Sequence, residues 1–142
     1  MSHLRHIGLV VNNLEMEYNF YSQVFCFQEI DRKRESGNFI DTLVGLQHAC
    51  IEWVKLKSPD GNNVAIEILK YISHPDEPHT NPVQRCGCSH LAMTVKNIEE
   101  IAKAIVDFGG WAGPIQQNPE GTVRVLYARD PEGIFLEIVE PC

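Results

Sequence analysis

The sequence of 142 residues predicts an α+β fold made of two βαβββ modules, which form an open, curved, mixed sheet with the helices on its outer face. The first observation is a repeat, in which RHIGLVVNNLEME (5–17) aligns with SHLAMTVKNIEEI (89–101) at an offset of 84 residues. The second is a pair of similar tails, PDGNNVAIEIL (59–69) and PEGIFLEIV (131–139), each a turn followed by an apolar strand that carries one Glu. The repeat predicts one domain over 1–142, divided into module 1 (1–72), a connector (73–87) and module 2 (88–142).

Each module begins with a strand, and a helix follows. Asn13 and Asn97 are typical helix N-caps, and the acidic residues after them suit the positive end of the helix dipole. The helices are expected at 14–26 and 97–108, and Gly109-Gly110 ends the second one. Two further strands are expected between helix and tail in each module, at 28–36 and 48–57 in module 1 and at 111–117 and 122–128 in module 2.

Four polar side chains fall on one face of strands whose other face is continuously aliphatic, because side chains alternate along a strand. They are His6, Glu67, His90 and Glu137. An ionised carboxylate in a core is unfavourable unless it is paired or holds a metal. If the repeat brings equivalent positions together, two imidazoles and two carboxylates form an N2O2 site for one divalent ion, and Zn, Ni, Co, Mn and Fe all suit such ligands. The alternative is that each His is a satisfied core or edge residue and each Glu pairs with a Lys or Arg.

The composition excludes several classes of function. A formal net charge of −7 argues against a nucleic-acid or anionic-membrane partner. No apolar run is long enough to span a bilayer, and the N-terminus enters a strand pattern at once. Five cysteines without a disulfide-framework spacing favour a reducing cytoplasm.

Other candidate ligands have plainer interpretations. Cys86 and Cys88 alternate with His90, but CxC lacks the turn spacing of a CxxC zinc site, so free thiols are favoured. His74 and His79 lie in the Pro-rich connector, where a surface loop is expected.

The paired pattern resembles the vicinal oxygen chelate superfamily, which includes glyoxalase I (lactoylglutathione lyase), methylmalonyl-CoA epimerase and the extradiol dioxygenases. HIGLVVNNLEMEYNFYSQVFCFQ resembles its first βα unit, and RDPEGIFLEIVEP resembles its closing DPxG turn and Glu-bearing strand. The resemblance implies a metal site with His6, Glu67, His90 and Glu137 as ligands, and a homodimer. Because both glutamates are present, it points to a lyase or isomerase of the glyoxalase type. The alternatives are an Fe(II) extradiol-type dioxygenase and a non-catalytic drug-binding protein of the same superfamily.

The implied chemistry is proton abstraction next to a carbonyl group through a metal-stabilised enediolate. Glu137 and Glu67 are the candidate bases, and Glu52 is a third, because the corresponding strand of methylmalonyl-CoA epimerase carries a catalytic Glu. The substrate is expected to be a small hemithioacetal, thioester or 2-oxo compound. Val10 replaces the Arg with which bacterial glyoxalase I helps to bind glutathione, so the use of glutathione stays open. The choice of metal and of base stays open too, as does whether the site lies within one chain or between two.

Overall fold

The computed structural model describes residues 1–77 and 80–142 and divides the chain into unit 1 (Met1–Pro78) and unit 2 (His79–Cys142). Each unit has its own mixed sheet, so the predicted α+β class with a repeated strand–helix–strand order is confirmed. The predicted connector includes residues 78 and 79, which lie outside the described residues, and His79 with them.

Unit 1 has one mixed sheet in the order β1-β4-β3-β2, in which β1 and β4 run parallel and the other neighbours antiparallel. Its elements are β1 (His6–Val10), α1 (Leu14–Val24), β2 (Gln28–Ser36), α2 (Asn38–Val44), β3 (Cys50–Lys57) and β4 (Ala65–Tyr71).

Unit 2 repeats the central pairing, with β5 parallel to β9 and β9 antiparallel to β8. Its elements are β5 (His90–Thr94), α3 (Ile98–Asp107), β6 (Trp111–Ala112), β7 (Gln116–Gln117), β8 (Val123–Arg129) and β9 (Phe135–Pro141). The strand predicted over 111–117 is divided into β6 and β7, because Gly113 and Pro114 interrupt it. A Cβ on Gly113 would lie 2.9 Å from the Tyr127 carbonyl oxygen, so the backbone approaches β8 there more closely than any other residue permits.

The first and third helices begin as the sequence predicts. The Asn13 side chain accepts a hydrogen bond from Met16 N, and the Asn97 side chain accepts one from Glu100 N. Helix α3 ends at Asp107, two residues before Gly109, whose φ is +91°.

Each sheet buries an aliphatic face. In unit 1 this face packs with α1, and the core consists of Leu9, Val54, Leu56, Ile66 and Ile68 of the sheet with Phe20 and Tyr21 of the helix. In unit 2 the corresponding face packs with α3, and the core consists of Leu91, Leu126, Ala128, Leu136 and Ile138 of the sheet with Ile98 and Ile105 of the helix.

Helix α2 departs from the expectation that the helices lie on the outer face. Its buried Ile40 packs in one cluster with Ile51 and Trp53, and Leu69 packs against the same cluster. Because Trp53 pairs with Leu69 and Lys55 pairs with Glu67 across β3 and β4, these side chains share the face that bears Glu67. Helix α2 therefore covers part of the face predicted to carry the site.

Candidate metal centre

The first candidate ligand pair lies on neighbouring parallel strands of unit 1. His6 pairs in register with Ala65, and Gly8 pairs with Glu67, so the imidazole and the carboxylate point to the same side of the sheet. His6 Nε2 lies 3.8 Å from Glu67 Oε2. The Nδ1 atom of the same ring is buried and has no hydrogen-bond partner among the described residues.

The second pair occupies the equivalent strands of unit 2. His90 pairs with Phe135, and Ala92 pairs with Glu137. His90 Nε2 lies 3.0 Å from Glu137 Oε2, and both side chains are 28% exposed. The Ser89 hydroxyl lies 2.6 Å from His90 Nδ1, which leaves Nε2 as the ring nitrogen that faces the carboxylate.

One of the two spacings is that of neighbouring metal ligands. Two atoms that each bind an ion at about 2.1 Å lie about 3.0 Å apart at adjacent octahedral positions and about 3.4 Å apart in tetrahedral geometry. The unit 2 pair, at 3.0 Å, has the octahedral spacing, whereas the unit 1 pair, at 3.8 Å, is wider than both values. In the described part of the chain, no three His, Cys, Asp or Glu side chains form a group that could hold a metal ion.

A basic side chain accompanies the unit 1 pair. Lys55 lies directly opposite Glu67 across β3 and β4, and its Nζ is 3.3 Å from Glu67 Oε2. The ammonium group also lies 4.3 Å from the centre of the Trp53 ring, a cation–π contact. The Trp53 indole donates a 2.7 Å hydrogen bond to Glu35 Oε2. That hydrogen bond, supported by Lys33 at 3.2 Å, lowers the pKa of the Glu35 carboxyl below its ordinary value.

Aromatic side chains accompany the unit 2 pair instead. Tyr127 lies directly opposite Glu137, and its ring centre is 5.2 Å from that of His90. The ring centres of Phe135 and Tyr127 are 6.4 Å apart, and the Arg129 guanidinium carbon lies 4.1 Å from the centre of the Phe135 ring. The residue opposite Glu67 in unit 1 is thus a lysine, whereas the residue opposite Glu137 in unit 2 is a tyrosine.

Glu52 does not join the unit 1 pair. It pairs in register with Arg34 on one side and Lys70 on the other, and it lies between Ile51 and Trp53 on the strand. It therefore lies on the face of Val54 and Leu56, opposite the face of Glu67. The candidate base Glu52 thus lies on the other side of the sheet from the His6–Glu67 pair.

The remaining candidates stay apart from the two pairs. All five cysteines are free, and Cys86 and Cys88 are exposed. His74 Nδ1 is 2.7 Å from the Ser73 hydroxyl, on an exposed segment.

Sequence reasoning missed Lys55, Ser89 and Tyr127 as neighbours of the ligands. Ser89 adjoins His90 in the chain, so its position was a usable signal. Lys55 and Tyr127 lie opposite the two glutamates only because of the strand register, which the sequence does not specify.

The description of the matching family is Glyoxalase/Bleomycin resistance protein/Dioxygenase superfamily, and its model matches residues 3–138. Among curated proteins, the chain is similar to the uncharacterized protein YwkD of Bacillus subtilis (strain 168). The two are 24% identical over 139 residues, which cover 96% of this chain and 95% of the relative.

Two solved structures illustrate the likeness in fold. A glyoxalase family protein from Bacillus cereus superimposes with a TM-score of 0.90 at 23% identity, over 99% of this chain and 95% of that one. The genomically encoded fosfomycin resistance protein FosX from Listeria monocytogenes gives TM-scores of 0.62–0.63 at 18–19% identity, over 100% of this chain and 93–95% of that one. None of the helices in residues 1–77 and 80–142 has the length and the apolar character that a membrane span requires.

Proposed function

Because the chain belongs to the glyoxalase/bleomycin resistance protein/dioxygenase superfamily, we propose that it is a metal-dependent lyase or isomerase that abstracts a proton next to a carbonyl group. The observation that carries this proposal is the matched pair of His and Glu side chains, 3.8 Å apart in unit 1 and 3.0 Å apart in unit 2. A single such pair is common in proteins. The same pair at equivalent positions of two repeated units supports a shared purpose.

The residues present fit a divalent metal ion. His6, Glu67, His90 and Glu137 would hold it, and the second pair would come either from the same chain or from a second copy. The chemistry of the donor set supports this role, since imidazole nitrogens and carboxylate oxygens are ligands that first-row divalent ions accept. When bound, the ion polarises the substrate carbonyl group and lowers the barrier to losing the neighbouring proton.

Glu137 is the proposed proton acceptor. Its Oε2 atom is 3.0 Å from His90 Nε2, and the residue opposite it is the neutral Tyr127, so no lysine occupies its register position. Glu67 has the Lys55 ammonium group at 3.3 Å from its Oε2, and a cation held this close by Trp53 repels a proton that arrives at Glu67. Glu67 thus acts as a ligand, and Glu137 as ligand and base.

His90 is prepared for its role by Ser89. An Nδ1–H group that donates to the Ser89 hydroxyl keeps the Nε2 lone pair free and fixes the orientation of the ring. Phe135, buried beside His90 in the register, helps to exclude water from this side of the site.

The test of this function follows solvent deuterium exchange at the carbon next to a carbonyl. Hemithioacetals and 2-methyl acyl-CoA esters serve as the substrate panel, and the metal content is measured by elemental analysis before and after chelation. We expect about one divalent ion per chain and exchange that chelation abolishes. Glu52→Gln is the matched control, because Glu52 lies on the opposite face, and it should exchange like the wild type.

Two results would redirect the assignment. Turnover that consumes oxygen and fails under anaerobic conditions would indicate a dioxygenase. A metal-free protein that binds ligands without exchange would indicate a binding module.

We also propose a homodimer. Strand β1 is at the edge of its sheet, where a strand of a second chain can pair with it, and its Val10 is 59% exposed. Light scattering should give twice the chain mass, and Val10→Lys should shift it towards the monomer. Val106→Lys is the control, because Val106 is an exposed valine in the last turn of α3, and it should leave the mass unchanged. A wild type of single-chain mass at micromolar concentration contradicts the dimer.

A further inference from the structure

Lys55 is held beside Glu67 by contacts that involve two further side chains, Trp53 and Glu35. Its Nζ lies 3.3 Å from Glu67 Oε2 and 4.3 Å from the centre of the Trp53 ring. The Trp53 indole is itself fixed by a 2.7 Å hydrogen bond to Glu35. Only 22% of the Lys55 side chain is exposed, so the ammonium group is built into this face of the sheet.

Lys55 and His6 approach the same atom of Glu67. Oε2 is the oxygen that lies 3.8 Å from His6 Nε2 and 3.3 Å from Lys55 Nζ. In the proposed function this oxygen binds a metal ion together with His6. A carboxylate oxygen bound to a divalent cation is a much poorer partner for an ammonium group, and the two cations repel each other. Metal binding therefore deprives Lys55 of its partner.

The charges then leave a vacancy for an anion. Once Glu67 balances part of the charge of the ion, it no longer neutralises the Lys55 ammonium group. The Trp53 platform keeps the ammonium group close to the site, because a cation over an aromatic ring retains that contact when the carboxylate is lost. The Glu35 carboxylate also interacts electrostatically with Lys55, but it is already engaged by the Trp53 indole and by Lys33. A partly buried cation whose second carboxylate neighbour is engaged in this way favours an anionic group of the substrate.

Resting on the proposed function, we propose that Lys55 exchanges partners, pairing with Glu67 before the metal binds and with an anionic group of the substrate afterwards. The substrate class is then a small carbonyl compound that carries a carboxylate or a similar anion apart from its metal-binding oxygens. Lys55 is a specificity-determining residue in this scheme, and Trp53 and Glu35 are positioning residues.

The test compares the wild type with Lys55→Met, which keeps the length of the aliphatic stem. Lys57→Met is the matched control, because Lys57 lies on the same strand and the same face but pairs with Ala65. Equilibrium dialysis with Co²⁺ measures metal affinity. We expect Lys55→Met to bind Co²⁺ about 10-fold more tightly, since the competitor for Glu67 is gone, and Lys57→Met to bind like the wild type.

The second measurement uses Co²⁺-loaded protein and two hydroxamates that offer the same pair of adjacent oxygens. Acetohydroxamate is the neutral-tailed probe, and succinic monohydroxamate adds a carboxylate at the far end. The wild type and Lys57→Met should prefer the carboxylate-bearing probe about 10-fold, whereas Lys55→Met should bind the two about equally. Circular dichroism checks folding, and Lys55→Gln replaces Lys55→Met if the latter does not fold.

The outcomes separate the two proposals. A wild type that binds no Co²⁺ overturns the proposed function. A wild type that binds Co²⁺, with unchanged metal affinity or unchanged probe preference in Lys55→Met, overturns the role of Lys55 and leaves the metal-dependent function standing.

Discussion

In unit 1 the His–Glu pair lies beside a cation, Lys55, whereas in unit 2 the corresponding pair lies beside the neutral ring of Tyr127. The two histidines differ as well, because His90 Nδ1 contacts the Ser89 hydroxyl and His6 Nδ1 is buried without a described partner. The repeat thus preserves the His–Glu pair in both units, while the residues around the pair differ. The comparison teaches that equivalent residues of a duplicated fold need not share one role, since the side chains across the strand decide what each carboxylate can do.

The largest effect is expected where the two glutamates are exchanged for glutamine one at a time. Glu137→Gln should lower the solvent exchange rate about 100-fold to 10,000-fold, because a positioned base is lost while an oxygen ligand remains. Glu67→Gln should instead lose metal affinity first, because Glu67 acts as a ligand.

Metal content by elemental analysis, measured beside the exchange rate, separates the two losses. If Glu137→Gln exchanges at the wild-type rate with metal bound, then Glu137 is not the base and Glu67 takes that role.

The turns before the two Glu-bearing strands should differ next most strongly. Asp130 is buried, and its Oδ1 accepts hydrogen bonds from the backbone N–H groups of Glu132 at 3.1 Å and Ile134 at 2.8 Å. Asp60 lies in an exposed turn and accepts from Asn62 N at 2.9 Å. Asp130→Ala should therefore lower the free energy of unfolding by about 2–3 kcal/mol, and Asp60→Ala by less than about 1 kcal/mol.

Urea unfolding measures both variants. Asp130→Asn is the conservative control and should recover part of the loss, because both bonds end on Oδ1 and an amide oxygen accepts them without the negative charge. Equal losses in the two alanine variants would contradict the difference between the turns.

The third effect concerns the two histidines. Removal of the hydroxyl in Ser89→Ala should weaken metal binding about 10-fold to 100-fold, since a ligand histidine then loses the group that orients it. Ser73→Ala is the matched control, because Ser73 contacts His74 Nδ1 in the same way but outside the site. Dialysis against Co²⁺ should show wild-type affinity for the control, and a loss of equal size in both variants would contradict the role of Ser89.

Much of the fold was predictable because its signals are local. Asn13 and Asn97 cap helices through their own side chains, and the strand over 28–36 was predicted with the bounds that the structure has. Helix α2 was not predicted, because it is seven residues long and its apolar Phe39 and Leu43 are exposed rather than buried. Its position depends on Ile40 packing against the sheet, a tertiary contact that periodicity does not reveal.

The candidate site was predictable only in part. Side-chain alternation places His6, Glu67, His90 and Glu137 on the faces opposite the aliphatic rows, and the structure forms a His–Glu pair in each unit. The separation of Glu52 from the pair and the position of Lys55 beside it have one cause. Alternation divides a strand into two faces but does not say which face matches that of the next strand, and the register Lys55↔Glu67 decides it.

The smallest effect concerns the pH dependence of stability in the two units. The hydrogen bond from Trp53 lowers the pKa of Glu35 in unit 1, and that from Arg124 lowers the pKa of Glu99 in unit 2. A carboxyl group whose pKa is lower in the folded state than in the unfolded one, near 4.5, stabilises the fold above that value. The stabilisation is lost as the pH falls below 4.5 and through the lower folded-state pKa. Glu35→Gln should thus reduce the free energy of unfolding by about 1 kcal/mol at pH 7, and the difference from the wild type should shrink as the pH falls below 4.5. Glu99→Gln is the comparison, because its partner is a cation on the exposed surface. Urea unfolding at about 1 M salt should remove the effect of Glu99→Gln by screening, yet leave most of that of Glu35→Gln, whose first partner is the neutral indole of Trp53. If salt removes both effects equally, then Lys33 rather than Trp53 is the partner that stabilises the Glu35 carboxylate.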